Sequence, residues 1–370
     1  MSLSTLERIE IYPFEIPLEN PFRIATMLNS SAKGVFVRVL ASDGQEGWGE
    51  CLPFHAINGE DQATCVAALK TLSLALLHSG ITDPRSTADL LESLLPSQTT
   101  AISGLEIAVY DLAARQASLP LYRLLGGTAK PLPTDLTIGI VNAEQAADKA
   151  TAIAAKGYQA IKIKLGSGIA EDGHRVAAVR KAIGETIDLR VDANQGYSSH
   201  DALDLLESIA EFNIQFCEQP VRRHDIHGMQ WLHGRSPVPI MADESCFSPA
   251  DASQLLANKA CQLLNIKLCK SGGITRASQI AAVARGFFAP CMMGGMAETR
   301  IGVSAAAHLA TADGQFRFFD LDAFVGHSQD VVQGGIYHEN GHVLFTGAPG
   351  HGATPTPEFL ANLEKITMTA

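Results

Sequence analysis

AIKIKL (160–165), DLRVDAN (188–194), IQFCEQP (214–220), VPIMADES (238–245) and LLNIKLCK (263–270) are five apolar runs that each end on charged residues. Lys164, Asp192, Glu218, Asp243 and Lys267 follow one another at 28, 26, 25 and 24 residues, close to the length of one strand, one loop and one helix. Strands of a parallel barrel are buried on both faces and read as near-continuous apolar runs, whereas reactive groups gather at their C-terminal ends. A single acid at a strand end is an ordinary turn residue. Five charged residues in one register predict a barrel whose working groups share one mouth.

Working outward, the strand and helix alternation begins near Leu132, with strands expected near 135–140, 160–165, 187–192, 214–218, 238–243, 262–267, 289–293 and 316–321. Before it, residues 5–17 and 34–49 alternate apolar with polar, and Asp43-Gly44 offers a hairpin turn. Helical spacing occupies 60–79, 86–95 and 101–118. The expected organisation is an α+β domain (1–130), a barrel of eight strands alternating with helices (131–328) and a C-terminal segment (329–370) that packs back on the first domain. Two poorly periodic stretches, Phe22–Lys33 and Pro53–Gly59, are expected to reach over the barrel mouth as loops.

The chain has 370 residues, more than the roughly 250–300 at which a single core stops growing, which also argues for two domains. Its net charge of −11, with no Lys/Arg cluster, disfavours nucleic acid as a partner. Seven cysteines without a CxxC pair suit a reducing compartment. Glu7, Arg8 and Glu10 interrupt the place where a secretory signal would be apolar, so a cytoplasmic location is expected. The most apolar helical stretch, Ala63–Leu77, contains Lys70 and is too short to span a bilayer. No membrane association is expected.

Asp192, Glu218 and Asp243 end consecutive strands and converge on one arc of the mouth. Three close carboxylates demand a cation, and hard oxygen ligands without cysteine or paired histidine select Mg²⁺, with Mn²⁺ the alternative, at one ion per subunit. Asn194 and Glu244 lie beside them and are expected to orient the ligands. Lys164 and Lys267 come from strands four apart in an eight-stranded barrel, so they face each other across it. A divalent cation and a second lysine, such as Lys162 on the same strand face, disfavour the ammonium form and bring a lysine toward general-base duty. Lys162 is also placed to hold a substrate oxyanion. Proton abstraction alpha to a carboxylate on one face and return on the other inverts the carbon, through an enediolate that the metal stabilises.

With those segments in view, IKIK, VDANQ, EQP, ADES and NIKLCKSGG match in order and spacing the landmarks of the enolase superfamily, and the chain resembles its muconate lactonizing enzyme subgroup over essentially its full length. The resemblance implies a capping α+β domain on a (β/α)7β barrel, Mg²⁺ on Asp192, Glu218 and Asp243, and acid/base lysines at 164 and 267. Within that subgroup, Asp320-Leu321-Asp322 resembles the Asp-x-Asp by which dipeptide epimerases grip a substrate ammonium. Alternate strand residues share a side, so both carboxylates can meet one cation. Epimerases of L-Ala-D/L-Glu resemble one another in a capping-loop arginine, and that place is held here by Met27, with Arg23 nearby. Met27, Leu28 and Met296 offer adaptable apolar surface instead. Thr137 is expected against the substrate backbone. Glu298 is a candidate for selecting a cationic side chain, and His55 and Asn58 are further candidates in the second capping loop.

The expected activity is therefore a Mg²⁺-dependent dipeptide epimerase inverting the C-terminal residue. The rivals are an o-succinylbenzoate synthase, N-acylamino acid racemase or cycloisomerase, whose substrates place no ammonium against Asp320 and Asp322, and a non-catalytic metal-binding barrel, which leaves two opposed lysines unexplained. A sugar-acid dehydratase would carry a His-Asp pair where Lys267 stands. Capped barrels commonly form homo-oligomers, but no segment marks the contacting face.

Overall fold

The computed structural model describes residues 5–370. The chain opens with three antiparallel strands, β1 (Leu6–Arg23), β2 (Leu28–Ala41) and β3 (Glu46–Cys51). Three long helices follow, α1 (Gln62–Ser79), α2 (Pro84–Leu94) and α3 (Thr99–Gln116), the first two started by Asp61 and Asp83 side chains that accept backbone N–H groups, with one-turn helices at His55–Asn58 and Leu121–Leu124 on either side. Their apolar faces bury Leu69, Leu72, Leu105 and Val109 against Ile9, Ile11, Val35 and Val37 of the sheet.

Eight parallel strands then succeed one another in chain order: β4 (Leu136–Ile138), β5 (Ala160–Lys164), β6 (Asp188–Asp192), β7 (Ile214–Glu218), β8 (Ile240–Ala242), β9 (Leu263–Ile266), β10 (Cys291–Met293) and β11 (Phe316–Phe319). Between them run α4 (Ala143–Ala155), α5 (Ile169–Ile183), α6 (Ser199–Ser208), α7 (Ile226–His233), α8 (Pro249–Ala257), α9 (Ile274–Gly286) and α10 (Arg300–Ala312). This is the (β/α)7β order. At the seam the Asp135 N–H donates to the Phe319 carbonyl at 3.1 Å. Outward strand residues such as Ile161, Ile163, Leu189 and Val191 join the helices in the largest core, while Phe216, Met241, Leu263 and Met292 form a smaller one with Phe318. Arg190 lies across the rings of Phe216 and Phe318, 5.4 and 5.3 Å from their centres.

The tail divides. A hairpin of Ile336–Glu339 and His342–Phe345 pairs with Leu132–Pro133, whereas β12 (Ile366–Thr369) adds an edge strand to β1. Two glutamates of the cap are buried at starts of barrel helices. Glu50 accepts from Thr299 N, Thr299 Oγ1 and Gly302 N at α10, each at 2.8 Å, and Glu106 accepts from Ile274 N and Thr275 N at α9, at 2.6 and 2.8 Å. Burial pushes both carboxyls up to about 7.

The stretch expected as a loop from Phe22 to Lys33 is mostly strand. A bulge between Pro17 and Phe22 lets the ladder resume with Phe22 opposite Asn29 and Arg23 opposite Leu28, leaving only residues 24–27 as the turn. The prolines at 17 and 21 and that bulge break the alternation by which a strand is recognised in sequence.

Candidate active site

The sheet register sets the first level of the site. Lys164 is paired with Asp192, and Asp192 with Glu218, on adjacent strands, and Asp243 follows β8 directly. All four are buried. Lys164 Nζ lies 2.5 Å from Asp192 Oδ2, Lys267 Nζ 2.9 Å from Asp243 Oδ2, and Lys162 Nζ 3.5 Å from Glu218 Oε2. Burial and the charge of Asp192 push Glu218 up to about 8, and burial with Asp243 and Asp192 pushes Glu244 up to about 7. Neighbouring carboxylates thus add to the effect of burial, although oxygens of Asp192, Glu218 and Asp243 do not all come within 4.8 Å of one another.

Whether they suit a hard cation can be judged from the oxygens around them. Asn194 Oδ1, Glu244 Oε2 and Asn265 Oδ1 are buried acceptors with no hydrogen-bond donor among the described residues. Asp243 Oδ2 has the Lys267 ammonium beside it but no directed hydrogen bond. Buried acceptors left in such excess fit a hard divalent ion. Asn194 joins this arc through its N–H to Asp192 Oδ1 at 2.8 Å and its amide to Glu244 Oε1 at 3.3 Å.

Several supporting groups carried no strong signal in the sequence. Gln219, at a left-handed φ of 36°, accepts from Asp243 N and Ser245 N at 3.0 and 3.1 Å, and so fixes the turn after β8. Lys270, fully buried, donates to Asp243 Oδ1 at 2.7 Å and to the Asn265 carbonyl at 3.0 Å. Asn265 donates to Glu218 Oε1 at 2.7 Å. The alternation of β9 places Asn265 and Lys267 on one side, a signal available in the sequence once the strand is accepted.

A second acidic group lies across the seam. Oxygens of Asp135, Asp320 and Asp322 all fall within 4.8 Å of one another. Here the partners differ in kind: Arg190 Nη1 donates to Asp135 at 2.7 Å, Lys162 pairs with Asp320, and the Thr137 N–H donates to Asp322 Oδ2 at 2.7 Å. Burial and Asp320 raise Asp322 to about 6, whereas three lysines, Lys162 foremost, outweigh burial and hold Asp320 well below the usual carboxylate range. Thr137 thus anchors the pair, its Oγ1 also 3.3 Å from Asp320 Oδ1, rather than standing free for substrate.

Burial disfavours the Lys267 ammonium, but the carboxylates of Asp243 and Glu218 outweigh this and hold it well above the usual lysine value. Lys162, for its part, is spent between Glu218 and Asp320 and is held protonated by them against its burial.

A cavity of about 380 Å³ collects Lys162, Lys164, Lys267, Asn194, Thr137, Asp320, Asp322, Met27 and Met296. Its upper wall comes from the cap, with Phe22, Ile24 and Met27 from the β1–β2 hairpin and Phe54 and Ile57 from the second segment. Ala25 of the hairpin tip rests on the barrel where Gly166 (φ 124°) and Gly196 leave room; a Cβ on either would come within 2.5 and 3.1 Å of the Ala25 methyl. The Ile140 N–H to Arg23 carbonyl bond (2.9 Å) and the Arg223 to Ile57 carbonyl bond (2.8 Å) tie both cap segments to barrel loops.

Four weaker candidates fall outside. Leu28 is 64% exposed and does not line the cavity. His55 is exposed, and Asn58 bonds Thr100 within the cap, because their short helix turns Phe54 and Ile57 inward instead. Glu298 turns back to accept from Met296 N at 2.6 Å and meets Cys269 Sγ at 3.5 Å, which removes it as a selector of cationic substrates. Among the described residues no helix is long and apolar enough to cross a membrane.

Two family models match the chain: the N-terminal domain of mandelate racemase / muconate lactonizing enzyme over residues 8–126, and the enolase C-terminal domain-like model over 145–359. The chain is 36% identical to the D-Ala-D/L-Ala epimerase of Cytophaga hutchinsonii, over 98% of this chain and 99% of that one. It is likewise 36% identical to the L-Ala-D/L-Glu epimerase of Bacillus subtilis, over 93% and 95%. Among solved structures, the Cytophaga dipeptide epimerase complexed with Mg and D-Ala-L-Val superposes with a TM-score of 0.96 at 36% identity, over 99% of this chain and 100% of that one. The Enterococcus faecalis dipeptide epimerase with Mg and L-Leu-L-Tyr gives 0.92 at 35% identity, over 95% and 99%.

Proposed function

The chain belongs to the mandelate racemase / muconate lactonizing enzyme family of the enolase superfamily, and from that membership we infer that it is an isomerase, a dipeptide epimerase that inverts the alpha carbon of the C-terminal residue. What supports this most is one cavity that receives Lys164 and Lys267 from strand positions four apart together with Asp320 and Asp322.

In this reading Asp320 and Asp322 receive the dipeptide's ammonium, and Thr137 positions them. Lys164 and Lys267 work from the two faces of the reacting carbon. One, as the free amine, takes the α-proton; the other, as the ammonium, delivers a proton to the opposite face of the planar deprotonated substrate. Lys162, protonated between Glu218 and Asp320, adds positive charge where negative charge develops. Met27 and Met296 border the substrate. The cap, seated on Gly166 and Gly196, keeps water from the reacting carbon.

Asp192, Glu218 and Asp243 would hold the metal, Mg²⁺ or Mn²⁺ at one per chain, with Asn194 and Glu244 orienting them. The trio of Asp135, Asp320 and Asp322 is less suited, because Asp135 is committed to Arg190, whose guanidinium stays charged. Bound at the first trio, the ion would act as a Lewis acid toward a carboxylate as charge develops on it. Seven buried, unpaired cysteines support a cytoplasmic location.

The test is exchange in D₂O with Mg²⁺ over a library of L,L-dipeptides, read by mass spectrometry with separation of diastereomers. Deuterium at the C-terminal α-carbon together with the inverted diastereomer is expected. No exchange with charged, polar or apolar dipeptides would overturn the reading.

A further inference from the structure

A deprotonated α-carbon is planar and has three bonds in its plane. On the reading above, which this inference rests on, two are assigned: the carboxylate faces the acids at the ends of β6, β7 and β8, and the peptide nitrogen faces Asp320 and Asp322 after β11. Lys164 and Lys267 occupy the two faces. The third bond, which carries the side chain, is left with the open mouth of the barrel and runs toward the cap. The wall that it meets is Phe22, Ile24 and Met27 of the β1–β2 hairpin, Phe54 and Ile57 of the second cap segment, and Met296 after β10. None of these six carries a charge. Arg23, the cation of that hairpin tip, is exposed and does not line the cavity.

We propose that the residue this enzyme epimerises bears an uncharged apolar side chain, received by those six residues. A carboxylate or ammonium sent there would lose its water with no counter-charge on the wall. An aliphatic chain loses nothing polar and gains contact with every methylene that it buries. Two of the six are methionines, unbranched and able to change shape, so the pocket accepts chains of differing length. The cavity also takes in Lys149 of α4 and Lys156 just after it, the two cations that an acidic side chain would have to reach instead of the cap wall.

The experiment uses the full chain with Mg²⁺ in D₂O and a matched set of L-Ala-L-Leu, L-Ala-L-Met, L-Ala-L-Glu and L-Ala-L-Lys. Values of kcat/KM for Leu and Met are expected to exceed those for Glu and Lys by about 50-fold or more, the scale at which apolar pockets discriminate. Met27→Lys, checked by thermal melting, should improve Glu relative to Leu by about tenfold. Faster or equal exchange with Glu or Lys in the unaltered chain would overturn the apolar class while leaving the epimerase standing. If Lys149→Ala with Lys156→Ala then abolished use of Glu, the side chain would lie against α4 instead. Exchange with none of the four, nor with any member of the wider library, would overturn inference and reading together.

Discussion

The backbone N–H of Thr137 donates to Asp322 Oδ2 at 2.7 Å, joining the first strand of the barrel to the turn after its last. The bond crosses the seam at which the barrel closes, so closure itself orients the carboxylate assigned to the substrate's ammonium. Asp322→Asn keeps an acceptor for Thr137 and removes the charge. A charge-assisted hydrogen bond contributes about 1.5–3 kcal/mol, so KM should rise by about 10- to 100-fold, with a smaller change in kcat. An unchanged KM, measured with the best dipeptide, would remove Asp322 from substrate binding.

The same carboxyl sets an acid limit. Its value of about 6, raised by burial and by Asp320, means that it is charged above pH 6 and neutral below. A dipeptide's α-amino group loses its proton at about pH 8. Substrate affinity is therefore expected to peak between these values and to weaken as the pH falls through 6. Steady-state KM from pH 5 to 9 checks this, and Asp322→Asn should flatten the acid limb.

Lys164 and Lys267 should divide the work by stereoisomer. Lys164→Ala and Lys267→Ala are each expected to stop α-proton exchange from one isomer and to lower epimerisation by about 10²- to 10⁴-fold. Single-turnover deuterium exchange on the separate L,L and L,D dipeptides is the measurement. Full activity in either variant would refute the opposed-face assignment.

The metal assignment separates two acid trios. A Mg²⁺-dependent rise in Tm is expected in the unaltered protein, to be lost in Asp192→Asn and retained in Asp135→Asn. Titration calorimetry gives the same contrast without reference to turnover. Retention in the first and loss in the second would move the ion to the seam.

Gly166→Ala tests the seating of the cap. The new methyl would lie 2.5 Å from that of Ala25, and φ of 124° is strained for alanine. The hairpin tip should lift, lowering kcat/KM by about tenfold or more with a modest loss of Tm. Adding Ala25→Gly should recover part of the activity, and no recovery would mean that backbone strain alone is responsible.

Glu50 and Glu106 add a pH term to stability. Their folded values of about 7 exceed the ordinary 4.5, so the folded protein binds extra protons between those limits. Stability from this source is full below about pH 4.5 and is lost as the pH rises through 7, on the order of 3 kcal/mol per carboxyl. Urea midpoints should fall from pH 5 to 8, with a shallower slope in Glu50→Gln.

The barrel, its strand order, and the alignment of Lys164, Asp192, Glu218, Asp243 and Lys267 were legible because each depends on a run of neighbouring residues. The strand at Phe22–Arg23 was not, since a bulge hides its alternation. Lys270 and Gln219 were equally obscure: a buried lysine bonded to a carboxylate and to carbonyl oxygens reads, as a string, like any surface lysine.

What the sequence determined by itself is the periodicity, and with it the level at which charged groups end each strand, because side-chain direction along a strand is a local property. What only the tertiary structure decided is who neutralises whom. Lys162 meets Asp320 158 residues away, Thr137 meets Asp322 185 residues away, and Ala25 settles on Gly166 across the domain boundary. Closing the barrel and seating the cap bring these groups out of water together, and the energy of a buried charge depends on those distant neighbours rather than on the residues beside it in the chain.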